Sequence, residues 1–162
     1  MKQILCISMV WAVLMLCAGC RKNLTEFTFI YSMESVNNYK LLLTFKGDKT
    51  YKIEEYNYFL DNHAKRQAPI IRESVLTEEE YNEVVNHLSA CNFFKMKDSY
   101  GFEKEADPEL SDVMYQITFI TDGKEKYISI RNSDDNLFPS SFINLLKHIN
   151  TFLREHKASD LP

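Results

Sequence analysis

Apolar and polar positions begin to alternate at "EFTFIYS", where Phe27, Phe29 and Tyr31 are separated by smaller or polar residues. A period of two is the signature of a half-buried strand. "YKLLLTF", "KGDK" and "TYKIEEYNYFL" follow and read as a hairpin. A two-residue Gly47-Asp48 loop would set Phe45 against Thr50 and Leu43 against Lys52, apolar against polar. A three-residue loop pairs Phe45 with Tyr51 and Leu43 with Ile53, so that register is expected, with a bulge at the turn. Further along, the apolar phase moves from Tyr51 and Ile53 to Tyr56, Tyr58 and Leu60, which predicts a second bulge near Glu54 and Glu55.

"DNHAKRQAP" is a polar loop, and "IIRESVL" a fourth strand. The pattern then lengthens to a helical period in "LTEEEYNEVVNHLSAC", with Tyr81, Val84, Val85 and Leu88 on one side, continuing into Phe93 and Phe94. Thr77 and Glu80 form a capping box, Leu76 is placed to staple onto Tyr81, and three glutamates in the first turn suit the helix dipole. "DVMYQITFITDGKEKYISIRN" is a second hairpin. A two-residue Asp122-Gly123 loop pairs Ile117 with Ile128 and Tyr115 with Ile130, so turn chemistry and apolar register agree. Pro139 opens a last helix with Phe142, Leu145, Leu146, Ile149 and Leu153 along one side and Arg154, His156 and Lys157 at its end. The order ββββ-α-ββ-α predicts an α+β fold: an antiparallel sheet of about six strands with two amphipathic helices on one face.

Composition changes little. The 162 residues are 45% hydrophobic and 26% charged, with only four Gly and four Pro, the balance of one ordinary domain without linkers or repeats. A net charge of -4 argues against a nucleic-acid surface.

The N-terminus changes the picture more. Lys2 precedes an uncharged run, Ile4 to Ala18, shorter than the roughly 20 residues that span a membrane. It reads as a secretory signal followed by "LCAGC", in which Ala18 and Gly19 stand before Cys20. This motif resembles the lipobox of bacterial lipoproteins, with Cys17 where Leu is usual. The resemblance implies cleavage after Gly19 and two or three acyl chains, palmitate among them, on Cys20. More than one chain gives stable anchoring. Arg21 and Lys22 follow Cys20, in place of the acidic residue that retains many lipoproteins in the inner membrane, so the resemblance implies the periplasmic face of an outer membrane. The expected organisation is a signal peptide at 1–19, a tether at 20–25, one α+β domain at 26–157 and a tail at 158–162. Cleavage would part Cys17 from Cys20 and leave Cys91 as the one thiol of the mature chain, which excludes a CxxC redox pair there.

Candidate chemistry is sparse. His63, His87, His148 and His156 show no metal-ligand spacing, and Cys91 lies on the apolar helix side, where a buried inert thiol is expected. The stretch from Asp98 to Asp112 also holds Glu103, Glu105, Asp107 and Glu109 but lacks the calcium-loop pattern, so a solvated loop is favoured over a calcium site. No Gly-rich phosphate loop or G-x-S-x-G elbow is present. No metal, cofactor or catalytic residue is therefore expected. Tyr39, Tyr56 and Tyr58 could form a binding face, because tyrosine joins contact area to a hydrogen-bonding tip. The loop carrying His63, Lys65 and Arg66 is the other exposed candidate.

From Val75 to His156 the succession of helix, "FF", loop, "SDVMYQITF", "DGK", "YISI" and Pro-started helix resembles emfourin-type inhibitors of secreted metallopeptidases, most recognisably at Ser111-Asp112 and Tyr115. The leading expectation is a non-enzymatic lipoprotein held to the bilayer through acylated Cys20, binding an envelope protein or polymer. A protease-inhibitor-like module is the alternative, and an envelope hydrolase the third reading.

Overall fold

The computed structural model describes residues 24–35, 38–58, 68–102, 113–131 and 137–158. Among these residues it is an α+β fold whose mostly antiparallel sheet has seven strands, with two helices. In chain order these are β1 (Phe27–Ser35), β2 (Tyr39–Lys46), β3 (Thr50–Asn57), β4 (Ile70–Val75), α1 (Glu78–Ala90), β5 (Ser99–Tyr100), β6 (Val113–Thr121), β7 (Lys124–Arg131) and α2 (Ser140–Ala158). In the sheet the order is β4-β3-β2-β1-β6-β7-β5, so the first strand of the chain becomes the central one.

Both hairpins take the register that the apolar pattern predicts. Phe45 faces Tyr51 and Leu43 faces Ile53 across the first; Ile117 faces Ile128 and Tyr115 faces Ile130 across the second. The first turn closes with Lys49 N donating to Lys46 O at 3.1 Å, and Lys49 takes the left-handed conformation, φ 69°, that three-residue hairpin loops carry. Asp122 and Gly123, at φ 50° and 68°, make the doubly left-handed turn whose twist matches that of the flanking strands. Gly47 answers a different need. A Cβ there would stand 2.2 Å from Thr25 O, so only glycine lets the arriving chain lie across the turn.

Three expectations are corrected. No bulge interrupts β3: Glu54, Glu55 and Tyr56 pair continuously with Leu42, Leu41 and Lys40. The strand keeps its phase by placing Glu55 on the same side as Ile53, where its carboxylate finds partners. The sheet has a seventh strand, β5, which pairs parallel to β7 through Ser99–Ser129 and Tyr100–Ile130; two residues are too few to show a period. The apolar side of α1 does not run on through both phenylalanines. The helix ends at Cys91, and a separate 3-10 turn, Phe93–Lys95, sends Phe93 inward and leaves Phe94 43% exposed.

The core occupies one side of the sheet. Phe27, Phe29, Tyr31, Leu41, Leu43, Phe45, Ile53, Ile117, Phe119, Ile128 and Ile130 are buried at alternate strand positions. From the helices come Val84 and Leu88 of α1 and Phe142, Leu145, Ile149, Phe152 and Leu153 of α2. Aromatic contacts join the layers: Phe152 meets Phe45 edge-on at 4.9 Å between centroids and Tyr51 at 5.1 Å, and Phe93 stacks on Phe119 at 4.6 Å. The capping box holds α1 in place. Thr77 N donates to Glu80 Oε2 at 2.7 Å, and Glu80 N donates to Thr77 Oγ1 at 3.3 Å.

The two ends of the sheet differ. At the proximal end, where the chain reaches β1, Gly47 N donates to Phe27 O at 2.9 Å and Thr121 Oγ1 donates to Glu26 O at 3.0 Å, so both tight turns grip the incoming segment. From the distal end leave the connections β3–β4, β5–β6 and β7–α2.

Candidate functional site

Pairing alone decides where the three candidate tyrosines fall. Tyr39 lies opposite Asn57 and Tyr56 opposite Lys40 at the distal end, so the two rings stand on opposite sides of the sheet. The three therefore do not form one surface. Tyr39 is half-buried on the helix side, donating its hydroxyl to Glu55 Oε2 at 2.8 Å, while Tyr56 stacks on Tyr58 at 6.3 Å on the open side. His63, Lys65 and Arg66 lie outside the described residues, as do Cys20 and the acidic positions Glu103, Glu105, Asp107, Glu109 and Asp112. Asp98 is described, and its carboxylate takes a hydrogen bond from Lys126 Nζ.

Glu55 also accepts from Arg72 Nη1 at 2.6 Å, with the two side chains 12% and 22% exposed. Tyr39, Glu55 and Arg72 thus form a polar cluster beneath the distal edge. The apparent change of phase at Glu55 marks this cluster: a carboxylate on a core-side position needs a cation and a donor, and β4 and β2 supply them.

A second polar cluster joins the helices. His87 of α1 and His148 of α2 stack with centroids 4.6 Å apart, and Glu83 Oε2 stands 3.9 Å from His148 Nδ1. His148 Nε2 is buried with no hydrogen-bond partner. Burial first, and the adjacent His87 second, hold the His148 imidazole below its ordinary value of 6.5, against the opposite pull of Glu83 and Glu155. Among the described residues, no group of three or more His, Cys, Asp or Glu is placed to hold a metal ion.

Cys91 is 7% exposed, and burial pushes its thiol up to about 11, opposed by a hydrogen bond with Ser141. Such a thiol is protonated at neutral pH and a poor nucleophile.

On the open side of the sheet a depression of about 610 Å³ lies over β2, β3 and β4 and is bounded by Thr44, Lys52, Glu54, Glu73 and Val75. Lys52 Nζ stands 2.7 Å from Glu54 Oε1 and 3.5 Å from Glu73 Oε1, one ammonium between two carboxylates. Contacts with Glu54, and then Glu73, hold that ammonium above its ordinary value despite partial desolvation. Beside it the sheet ends in β4, where Ile70, Ile71 and Val75 are 57%, 50% and 64% exposed.

The apolar signature of β4 was legible in "IIRESV", but its position at an open edge was not. Likewise, nothing in the spacing of His87 and His148 foretells their meeting. Among the described residues, no helix is long and apolar enough to cross a membrane. Compared with protein-family models the chain matches none, and comparison with curated proteins gives no match.

Proposed function

We propose that the chain is a lipoprotein anchored through Cys20, on the periplasmic face of an outer membrane, whose α+β domain binds an envelope protein or polymer without catalysing a reaction. In this reading two amphipathic helices back one side of the sheet and leave the other side free for contact. The address rests on "LCAGC" and on Arg21 and Lys22 after it.

The observation that carries the binding role is the separation of the two ends of the sheet. The chain arrives at Phe27 among the tight turns, whereas Tyr39 and Tyr56 stand at the distal end, about 25 Å away at roughly 3.3 Å per strand residue. A lipid on Cys20 with only a few residues of tether would keep the proximal end at the headgroups. The distal end and the open side would then face outward.

Cys20→Ala tests the anchor. The variant is expected to lose fatty-acid labelling and lipoprotein-type processing and to leave the membrane fraction; labelled, membrane-bound Cys20→Ala protein would refute the reading.

A further inference from the structure

Backbone alternation fixes which polar groups β4 leaves free. Leu76 N donates to Lys49 O at 2.8 Å, and the β3–β4 register pairs Thr50 with Val75 and Glu54 with Ile71. In an antiparallel ladder, consecutive residues turn their N–H and C=O groups alternately toward and away from the neighbour. Ile70, Arg72 and Ser74 therefore point theirs at β3. Ile71, Glu73 and Val75 point theirs out of the sheet, and among the described residues β4 is its terminal strand. The side chains of these same three residues lie on the open side, opposite Glu54, Lys52 and Thr50.

Among the described residues no strand pairs with this edge. Two aliphatic side chains, Ile71 and Val75, are half or more exposed on either side of Glu73. Pro69, just before the strand, has no N–H to offer, so the free ladder runs from Ile71 to Val75. The other edge, β5, is only two residues long. Resting on the binding-domain reading above, we propose that β4 receives an extended segment of an envelope protein, which adds as an antiparallel eighth strand. That segment carries Lys or Arg opposite Glu73, between aliphatic residues opposite Ile71 and Val75.

Charge selects the occupant. Lys52 is shared between Glu54 and Glu73, which leaves one uncompensated negative charge beside the edge, above a depression that can take a long basic side chain. Opposite charges across a strand pair stabilise it, and like charges destabilise it. A second copy fits poorly. The two-fold antiparallel register that sets Ile71 against Val75 also sets Glu73 against Glu73. Centring on Arg72 or on Ser74 sets Glu73 against Ile71 or Val75 with no cation opposite it, and centring on Ile71 sets Glu73 against Pro69, which has no N–H.

The test uses the full-length protein in detergent micelles and a capped peptide, Thr-Thr-Val-Thr-Lys-Thr-Val-Thr-Thr, with a second peptide carrying Glu in place of Lys. The Lys peptide should slow amide exchange at Ile71, Glu73 and Val75 about tenfold or more, leave Ile70, Arg72 and Ser74 unchanged, and bind about tenfold more tightly than the Glu peptide. Glu73→Lys should reverse the preference. Glu73→Pro, which removes an outward N–H together with the exposed carboxylate 3.5 Å from Lys52, should abolish binding of both peptides while melting near the parent temperature. Equal affinity for the two peptides, protection elsewhere, or protection of the three amides by self-association without peptide would each overturn the proposal. If Glu73→Lys protein still captures an envelope component as well as the parent does, the edge is refuted while the binding-domain reading stands.

Discussion

Phe45 and Thr44 are neighbours in the chain and stand on opposite sides of the sheet. On the side of Phe45, rings from β1, β2, β3 and α2 meet at 4.9 to 6.3 Å and the middle positions of β1, β2, β6 and β7 are buried. On the side of Thr44, neighbouring positions are Ile30 and Lys52, and the surface grades from threonines into the Lys52–Glu54–Glu73 charges. The first side is committed to stability, since its apolar area is already spent on the helices. The second carries little of that load.

Substitution at these neighbours probes the contrast most directly. Phe45→Ala should cost about 3–5 kcal/mol in denaturant unfolding, because the cavity opens against Phe29 and Phe152. Thr44→Ala should change stability by less than about 1 kcal/mol. Comparable losses at the two positions would erase the distinction between the faces. A smaller effect is expected where the helix layer is pinned to the sheet. Thr77→Ala removes the acceptor for Glu80 N and the hydroxyl that holds the Glu80 carboxylate, at a cost of about 1 kcal/mol. The same change should bring the Glu80 carboxyl back toward its ordinary value, since the Thr77 side chain is the main cause of its lowering.

Smallest of all is a pH dependence within the helix layer. The His148 imidazole is held below 6.5 in the folded chain, so the unfolded chain binds this proton more readily. Its contribution is fully present above 6.5 and is lost as pH falls below that value. Thermal melts between pH 7.5 and 5 should show a decline that His148→Asn flattens; an identical decline in the variant would remove His148 from the account.

How far the sequence foretold this molecule depends on whether a local cause decides each feature. Both hairpin registers were readable because turn length and apolar pairing demand the same answer. The Thr77–Glu80 box was readable because all its parts lie within four residues. Glu55 was misread as a bulge because its partners, Arg72 and Tyr39, come from other strands. Tyr39 and Tyr56 looked like one surface for a related reason. Which side each takes depends on unbroken pairing through Glu55, and the expected bulge would have turned Tyr56 to the other side. β5 has too few residues to show a period, and its place is set from a distance by Asp98 O accepting from Ser129 N at 2.9 Å and by Tyr100 against Phe138. The open edge at β4 is a property of the whole strand order, which no single segment contains.

The central position of β1 has a consequence for the order of assembly. Strands β1 to β4 form a meander of sequence neighbours, and such local pairings close quickly. The other edge of β1 must wait for β6, whose Thr121 reaches Glu26 across 95 residues of chain. Loop closure over that distance comes before any reward from Phe29 meeting Phe119 or Tyr31 meeting Ile117. Until β6 arrives, the central strand of the sheet has one side unpaired. That interval is when a chain emerging from its N-terminus is most exposed to pairing with the wrong strand.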